Sequence, residues 1–146
     1  MRASWIALAA VAGLLAAAVA IGRQPGSALA FAAPSFVLLA VNLFVIGRFA
    51  AGPAGSLVLG MDRQVAKWGY LLIAIVAYAW LVLTVANDWL PQKSAAAALT
   101  VALSFPAGRD LIECADDPEN LAPAVKRSLI AVLAHGVVLA IALAFF

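Results

Sequence analysis

Charge is scarce in this sequence. Asp, Glu, Lys and Arg make up 11% of its 146 residues, where an ordinary soluble domain carries about 25%. That scarcity excludes a free water-soluble monomer, which would have to expose apolar surface, and equally a disordered chain. The single cysteine, Cys114, excludes an internal disulfide and an all-thiolate metal cluster. The single histidine, His135, offers no second imidazole for a haem bridging two helices and leaves zinc short of nitrogen and sulfur donors. The sequence also has no P-loop, no paired-histidine metalloprotease motif and no nucleophile elbow. Net charge is only +2, nine basic against seven acidic residues. These charges sit in short connecting segments, so nucleic acid is not an expected partner.

What the sequence has is apolar length. Apolar residues make up 66% of it. Five uncharged runs can be counted: Ala3 to Gly22 (twenty residues), Gln24 to Gly47 (twenty-four), Trp68 to Asn87 (twenty), Ser94 to Gly108 (fifteen) and Ser128 to Phe146 (nineteen). A hydrocarbon core of about 30 Å takes about 20 helical residues. Backbone polar groups in lipid must be satisfied within the segment, so these runs read as helices; period-two alternation, the mark of a barrel, is absent. The expected fold is an all-α polytopic membrane bundle in one domain over residues 1–146. It has five helices at about 3–22, 29–47, 68–87, 92–108 and 128–146, with cytoplasmic loops at 48–67 and 109–127.

The fourth run is short, and if it did not span there would be four helices. Loop charge decides for five. With five spans, one side carries Arg2, Arg48, Arg63, Lys67, Arg109, Lys126 and Arg127, and the other only Arg23 and Lys93. The positive-inside rule then puts the N-terminus in the cytoplasm and the C-terminus outside, with the bacterial inner (plasma) membrane as the expected location. Trp89, Leu90 and Pro91 are read as an extension of the fourth helix. The first run, with Arg2 and an Ala18-Val19-Ala20 segment, also has features of a signal peptide but is taken as a span.

Further features suit packing in lipid. Ala9, Gly13 and Ala17 form a stripe of small residues at intervals of four, which lets helix backbones approach. Pro34 is expected to start or kink the second helix. Gly52-Pro53-Ala54-Gly55 signals a loop, and Ser56 to Met61 reads as a re-entrant or interfacial piece. Trp5, Trp68, Tyr70 and Trp89 sit near run ends, as an aromatic belt does.

Polar residues inside the runs are the candidate site residues. Asn42 and His135 lie deep enough to bond between helices or to hold a ligand. Arg48, Arg63, Lys67, Arg109, Lys126 and Arg127 are donors for a phosphate or an anionic headgroup, with Asp62 the carboxylate of that first loop. Asp110, Glu113 and Asp117 would share a helix face and offer oxygen ligands to Mg²⁺, against the plainer reading of a solvated loop balanced by Arg109, Lys126 and Arg127; Asp117-Pro118 reads as a turn interrupting such a helix. Thr84 with Asn87, and Thr100 with Ser104, have the spacing of a polar helical face. Isolated Ser and Thr in lipid more often bond back to their own helix. No catalytic residue and no cofactor are assigned, and no run contains a carboxylate, Lys or Arg of the kind coupled transporters place at mid-membrane.

One stretch carries a resemblance. Leu103-Ser104-Phe105-Pro106-Ala107-Gly108-Arg109, then Asp117-Pro118-Glu119-Asn120-Leu121-Ala122-Pro123, then His135-Gly136-Val137-Val138-Leu139 resemble the C-terminal end of UbiA-type membrane prenyltransferases of the menaquinone pathway. The resemblance covers roughly the last sixty residues. It implies the final five of nine helices, beginning inside and ending outside, and an enzyme joining a polyprenyl chain to an aromatic acceptor. That family holds Mg²⁺ and a prenyl diphosphate on two Asp-rich motifs. Here the first would lie on helices this chain lacks. At the second, only Asn42 and the Ala50-Ala51-Gly52 end are reminiscent, without the aspartates between, so no catalytic residue carries over.

Three functions follow. The preferred one is a non-catalytic subunit or accessory protein of a larger membrane complex, held to a protein partner or to its own copies and surrounded by membrane lipids. The second is a degenerate or half-sized prenyltransferase-like protein that binds a polyprenyl diphosphate or quinone. The third is a small oligomeric channel or transporter.

Overall fold

The computed structural model describes residues 2–50, 63–114 and 121–145. Among these residues the fold is all-helical: α1 (Arg2–Ile21), α2 (Ser27–Ala50), α3 (Arg63–Ala86), a 3₁₀ helix (Gln92–Thr100) running directly into α4 (Val101–Cys114), and α5 (Ala122–Phe145). Five helical stretches are long and apolar enough to cross a membrane, the fourth being the joined Gln92–Glu113. The short fifteen-residue run is thus extended at both ends by polar residues that can sit at an interface.

The helices extend beyond the expected boundaries. α2 runs to Ala50, α3 starts at Arg63, α4 continues to Cys114 and α5 begins at Ala122, so residues 48–50, 63–67, 109–114 and 122–127 are helix and not loop. Charged terminal turns are solvated at their ends and need not unwind at the hydrocarbon boundary. The loop signal at 52–55, the apolar piece Ser56 to Met61, Asp62 and the Asp117-Pro118 turn lie outside the described residues.

Pro34 is inside α2, and the helix starts seven residues earlier at Ser27. Proline has no N–H for the carbonyl four residues back and its ring crowds that turn. The carbonyl of Phe31, in the same turn, accepts from outside the helix: Trp80 Nε1 on α3 reaches it at 2.8 Å. The Phe31 ring stacks on Trp89 at 4.8 Å. Trp80→Phe is expected to lower stability by about 1 kcal/mol, within the range of hydrogen bonds between membrane helices, measurable by denaturant unfolding in micelles.

Trp89 and Leu90 do not extend the fourth helix; they belong to the turn that ends α3. Asp88 is left-handed (φ 58°), and the Trp89 amide bonds the Thr84 carbonyl at 2.9 Å, a Schellman closure. α1 closes the same way: Arg23 is left-handed (φ 51°), and the Gln24 amide bonds the Val19 carbonyl at 3.1 Å.

The first half of the fourth span is wound as 3₁₀, although Ala95 to Ala98 favours an α-helix by propensity. Three residues per turn stack Ser94, Ala97 and Thr100 on one buried line. An α-helical winding back from Thr100 would bring Lys93 to that face, at i−7, in place of Ser94. The looser rise, about 2.0 Å against about 1.5 Å per residue, also lengthens nine residues by about 4–5 Å, which helps a short span cross.

α2, α3, the fourth span and α5 pack in sequence around one core, as an up-down-up-down ring. α1 lies outside that ring, parallel to α5, and touches α2 only lightly. Two glycines set this contact. A Cβ on Gly22 would collide with the Leu143 carbonyl oxygen, and one on Gly136 with Val11 Cγ1 and the Phe36 ring. At Gly22 the glycine therefore serves close approach, and the left-handed conformation falls on Arg23.

Candidate functional site

The most polar place in the bundle is built around His135, which is fully buried on α5. Its Nε2 lies 2.9 Å from Ser35 Oγ on α2. Its Nδ1 lies 3.2 Å from both Thr100 Oγ1 and the Ala97 carbonyl on the 3₁₀ helix. Tyr78, from α3, meets the imidazole edge-on at 5.7 Å between ring centroids. Its hydroxyl lies 3.0 Å from Thr100 Oγ1 and 2.9 Å from Ser104 Oγ. Residues from the other three ring spans therefore converge on a single imidazole carried by α5.

The acceptors order the protons. Thr100 Oγ1 donates to the Ala97 carbonyl at 2.7 Å. Nδ1 faces that same carbonyl, which can only accept, so Nε2 is the unprotonated ring nitrogen and accepts from Ser35 Oγ at 2.9 Å, with the Ala32 carbonyl at 3.2 Å as that hydroxyl's alternative acceptor. Nδ1 then carries the ring proton and shares it between the Ala97 carbonyl and Thr100. Ser104 donates to Tyr78, and Tyr78 to Thr100. Each hydrogen has an acceptor, so the group is one connected hydrogen-bonded network across the four spans. His135 lines none of four hollows on the bundle surface; two of these are walled by apolar side chains alone, and the other two add Tyr78 with Ser104 and Arg109 with Glu113.

Asn42 belongs to a second cluster, about two turns or 10 Å away along α2. Its Nδ2 donates to the Tyr70 carbonyl at 3.0 Å, and its Oδ1 is buried without a partner. Tyr70 Oη donates to Ser128 Oγ at 3.1 Å, joining α3 to α5. Tyr70 is thus buried and does not belong to an aromatic belt, whereas Trp5, Trp68 and Trp89 are exposed. A Cβ on Gly108 would come within 2.8 Å of Leu71 Cδ2 and 3.3 Å of the Tyr70 ring, so that glycine keeps α4 close to α3.

The other expected site residues are dispersed. Arg48 lies over the Phe44 ring, 5.2 Å from its centroid, with Nε buried and unpartnered. Arg63 and Lys67 lie in the first turns of α3, and Asp62 and Asp117 lie outside the described residues. Asp110 and Glu113, two of the three expected Mg²⁺ ligands, both lie against arginines. Asp110 faces α5 and bonds Arg127 at 2.5 Å, while Glu113 faces outward near Arg109 at 3.8 Å. The two carboxylates are about one turn apart on α4 and both lie 3.8 Å from Arg109, while Asp110 also bonds Arg127. Among the described residues no three of His, Cys, Asp and Glu gather as a metal site requires. Thr84 bonds back to the Leu81 carbonyl at 2.7 Å, and the exposed Asn87 to the Leu83 carbonyl at 2.8 Å. Of the two polar pairs, only Thr100 and Ser104 share the inward face.

Sequence reasoning did not find Ser35, Tyr78, Tyr70 or Ser128 as partners of His135 and Asn42. Tyr78 carried a signal: a tyrosine in the middle of an apolar run has no interface to reach and needs a bonding partner inside. No protein-family model matches the chain, and no curated protein or solved structure matches it.

Proposed function

We propose that this chain is a non-catalytic membrane subunit or accessory protein that docks another transmembrane helix on the outer face of α1. The observation that carries this is the placement of the small-residue stripe. Ala9, Gly13 and Ala17 are all exposed, and a Cβ on Gly13 would meet nothing within 4 Å. The intramolecular contact of α1 uses other residues, Leu8, Val11, Leu15 and Ala18. Small residues that let backbones approach are therefore unused within the bundle. Two further facts agree. α1 is the least buried of the five spans, 22% against 50% for α5. A groove of about 230 Å³ between α1 and α5 has alanines 17, 140 and 144 in its walls. The seven-to-two distribution of basic residues supports an N-terminus in the cytoplasm.

Gly13→Leu tests this reading. Position 13 is exposed and a Cβ there has open space around it, so the stability of the isolated chain should stay within about 0.5 kcal/mol of the parent. A complex held through α1 should dissociate, seen as a shift to the 15.0 kDa chain in intact-mass spectrometry from mild detergent. Retention of the full complex by Gly13→Leu contradicts docking on this face.

A further inference from the structure

A second surface feature lies on the opposite part of the molecule from α1. Two hollows of about 220 and 270 Å³ run along the seam between α3 and α4 and share Leu71 and Phe105 as walls. Together they form one groove. Its deep end is floored by Tyr78 and Ser104, whose hydroxyls bond each other and close it. Its outer end is Arg109 and Glu113. From Val101, beside the deep end, to Glu113 is twelve residues of helix, about 18 Å. That is close to the thickness of one leaflet, about half of a 30 Å core. The groove therefore leads from the polar end of the span to mid-membrane, apolar between a charged mouth and a hydroxyl-bearing floor.

The mouth is a pair of opposite charges that hardly satisfy each other. Arg109 Nε and Glu113 Oε1 are 3.8 Å apart, with side chains 68% and 62% exposed. Arg109 Nη2 is also 3.8 Å from Asp110, which is already bonded to Arg127. At that separation neither contact is a hydrogen bond. A guanidinium recognises a phosphate, and a carboxylate one turn away recognises an ammonium.

We propose that the α3–α4 groove binds one phospholipid whose headgroup carries both a phosphate and a primary ammonium, as phosphatidylethanolamine does. One acyl chain lies in the groove with its end towards Tyr78 and Ser104. Arg109 holds the phosphate and Glu113 the ammonium. The site does not depend on α1 or on any protein partner.

The test uses the full chain, stripped of lipid in detergent and titrated with phosphatidylethanolamine, phosphatidylglycerol or phosphatidylcholine of identical chains, with lipid adducts counted by intact-mass spectrometry. Phosphatidylethanolamine should form a one-to-one adduct at least about fivefold tighter than either of the others, as one interfacial charge contact allows. Glu113→Gln should remove the preference over phosphatidylglycerol, and Arg109→Gln should weaken both. Both positions are exposed, so folding should be unaffected, which unchanged far-ultraviolet dichroism would verify. Equal binding of the three lipids by the parent chain overturns the proposal. So does a phosphatidylethanolamine preference that survives Glu113→Gln.

Discussion

His135→Ala is expected to cost the bundle about 2–4 kcal/mol, the range for emptying a large buried position and losing its hydrogen bonds. His135→Phe should cost much less, about 1 kcal/mol. The reason lies in what the neighbours do without the imidazole. Thr100 already donates to Ala97 at 2.7 Å, and Ser35 has the Ala32 carbonyl at 3.2 Å. Both hydroxyls fall back on their own helices, so little desolvation penalty is exposed. Filled volume, and not the count of bonds, then dominates the difference. Denaturant unfolding in micelles, followed by tryptophan fluorescence, reads both variants. Equal losses for alanine and phenylalanine would mean that hydrogen bonding outweighs packing at this position.

Gly22→Ala is the second large effect, about 1–3 kcal/mol. The added methyl meets a backbone carbonyl, that of Leu143, and no rotamer change relieves a backbone clash. The ends of α1 and α5 must separate, which also removes the contact of Gln24 Nε2 with the same carbonyl at 3.4 Å. Gly13→Ala is the internal control: it meets nothing and gains helix propensity. Hydrogen exchange should accelerate over the last turn of α1 in Gly22→Ala alone, leaving the amides around His135 protected.

These two sites show which parts of the structure the sequence could reveal. The five spans were legible because hydrocarbon thickness fixes a run length that can be counted, and because loop charge resolved the short fourth run. The His135 network was not legible. It joins Ser35 to a residue one hundred positions later, and such a pairing depends on which faces of four helices meet. Asn42 announced that it would bond between helices, but its partner is a backbone carbonyl, to which any residue contributes. The 3₁₀ winding opposed local propensity; its trace was the spacing by three of Ser94, Ala97 and Thr100 beside Lys93. Of the acidic residues after Arg109, Asp110 and Glu113 share that arginine as a neighbour, and Asp117 lies outside the described residues. On α4, Asp110 turns to Arg127 and Glu113 to the surface.

The small-residue stripe of α1 is the converse case: it was visible in the sequence, and the fold leaves it facing outward. The proposed subunit role rests on that placement, and the most direct measurement is the intact mass of the wild-type chain extracted in native lipid nanodiscs. The account predicts a defined assembly, either an integral multiple of 15.0 kDa or a stoichiometric complex with another membrane protein. A single bare chain under these conditions, with no partner and no second copy, would contradict it.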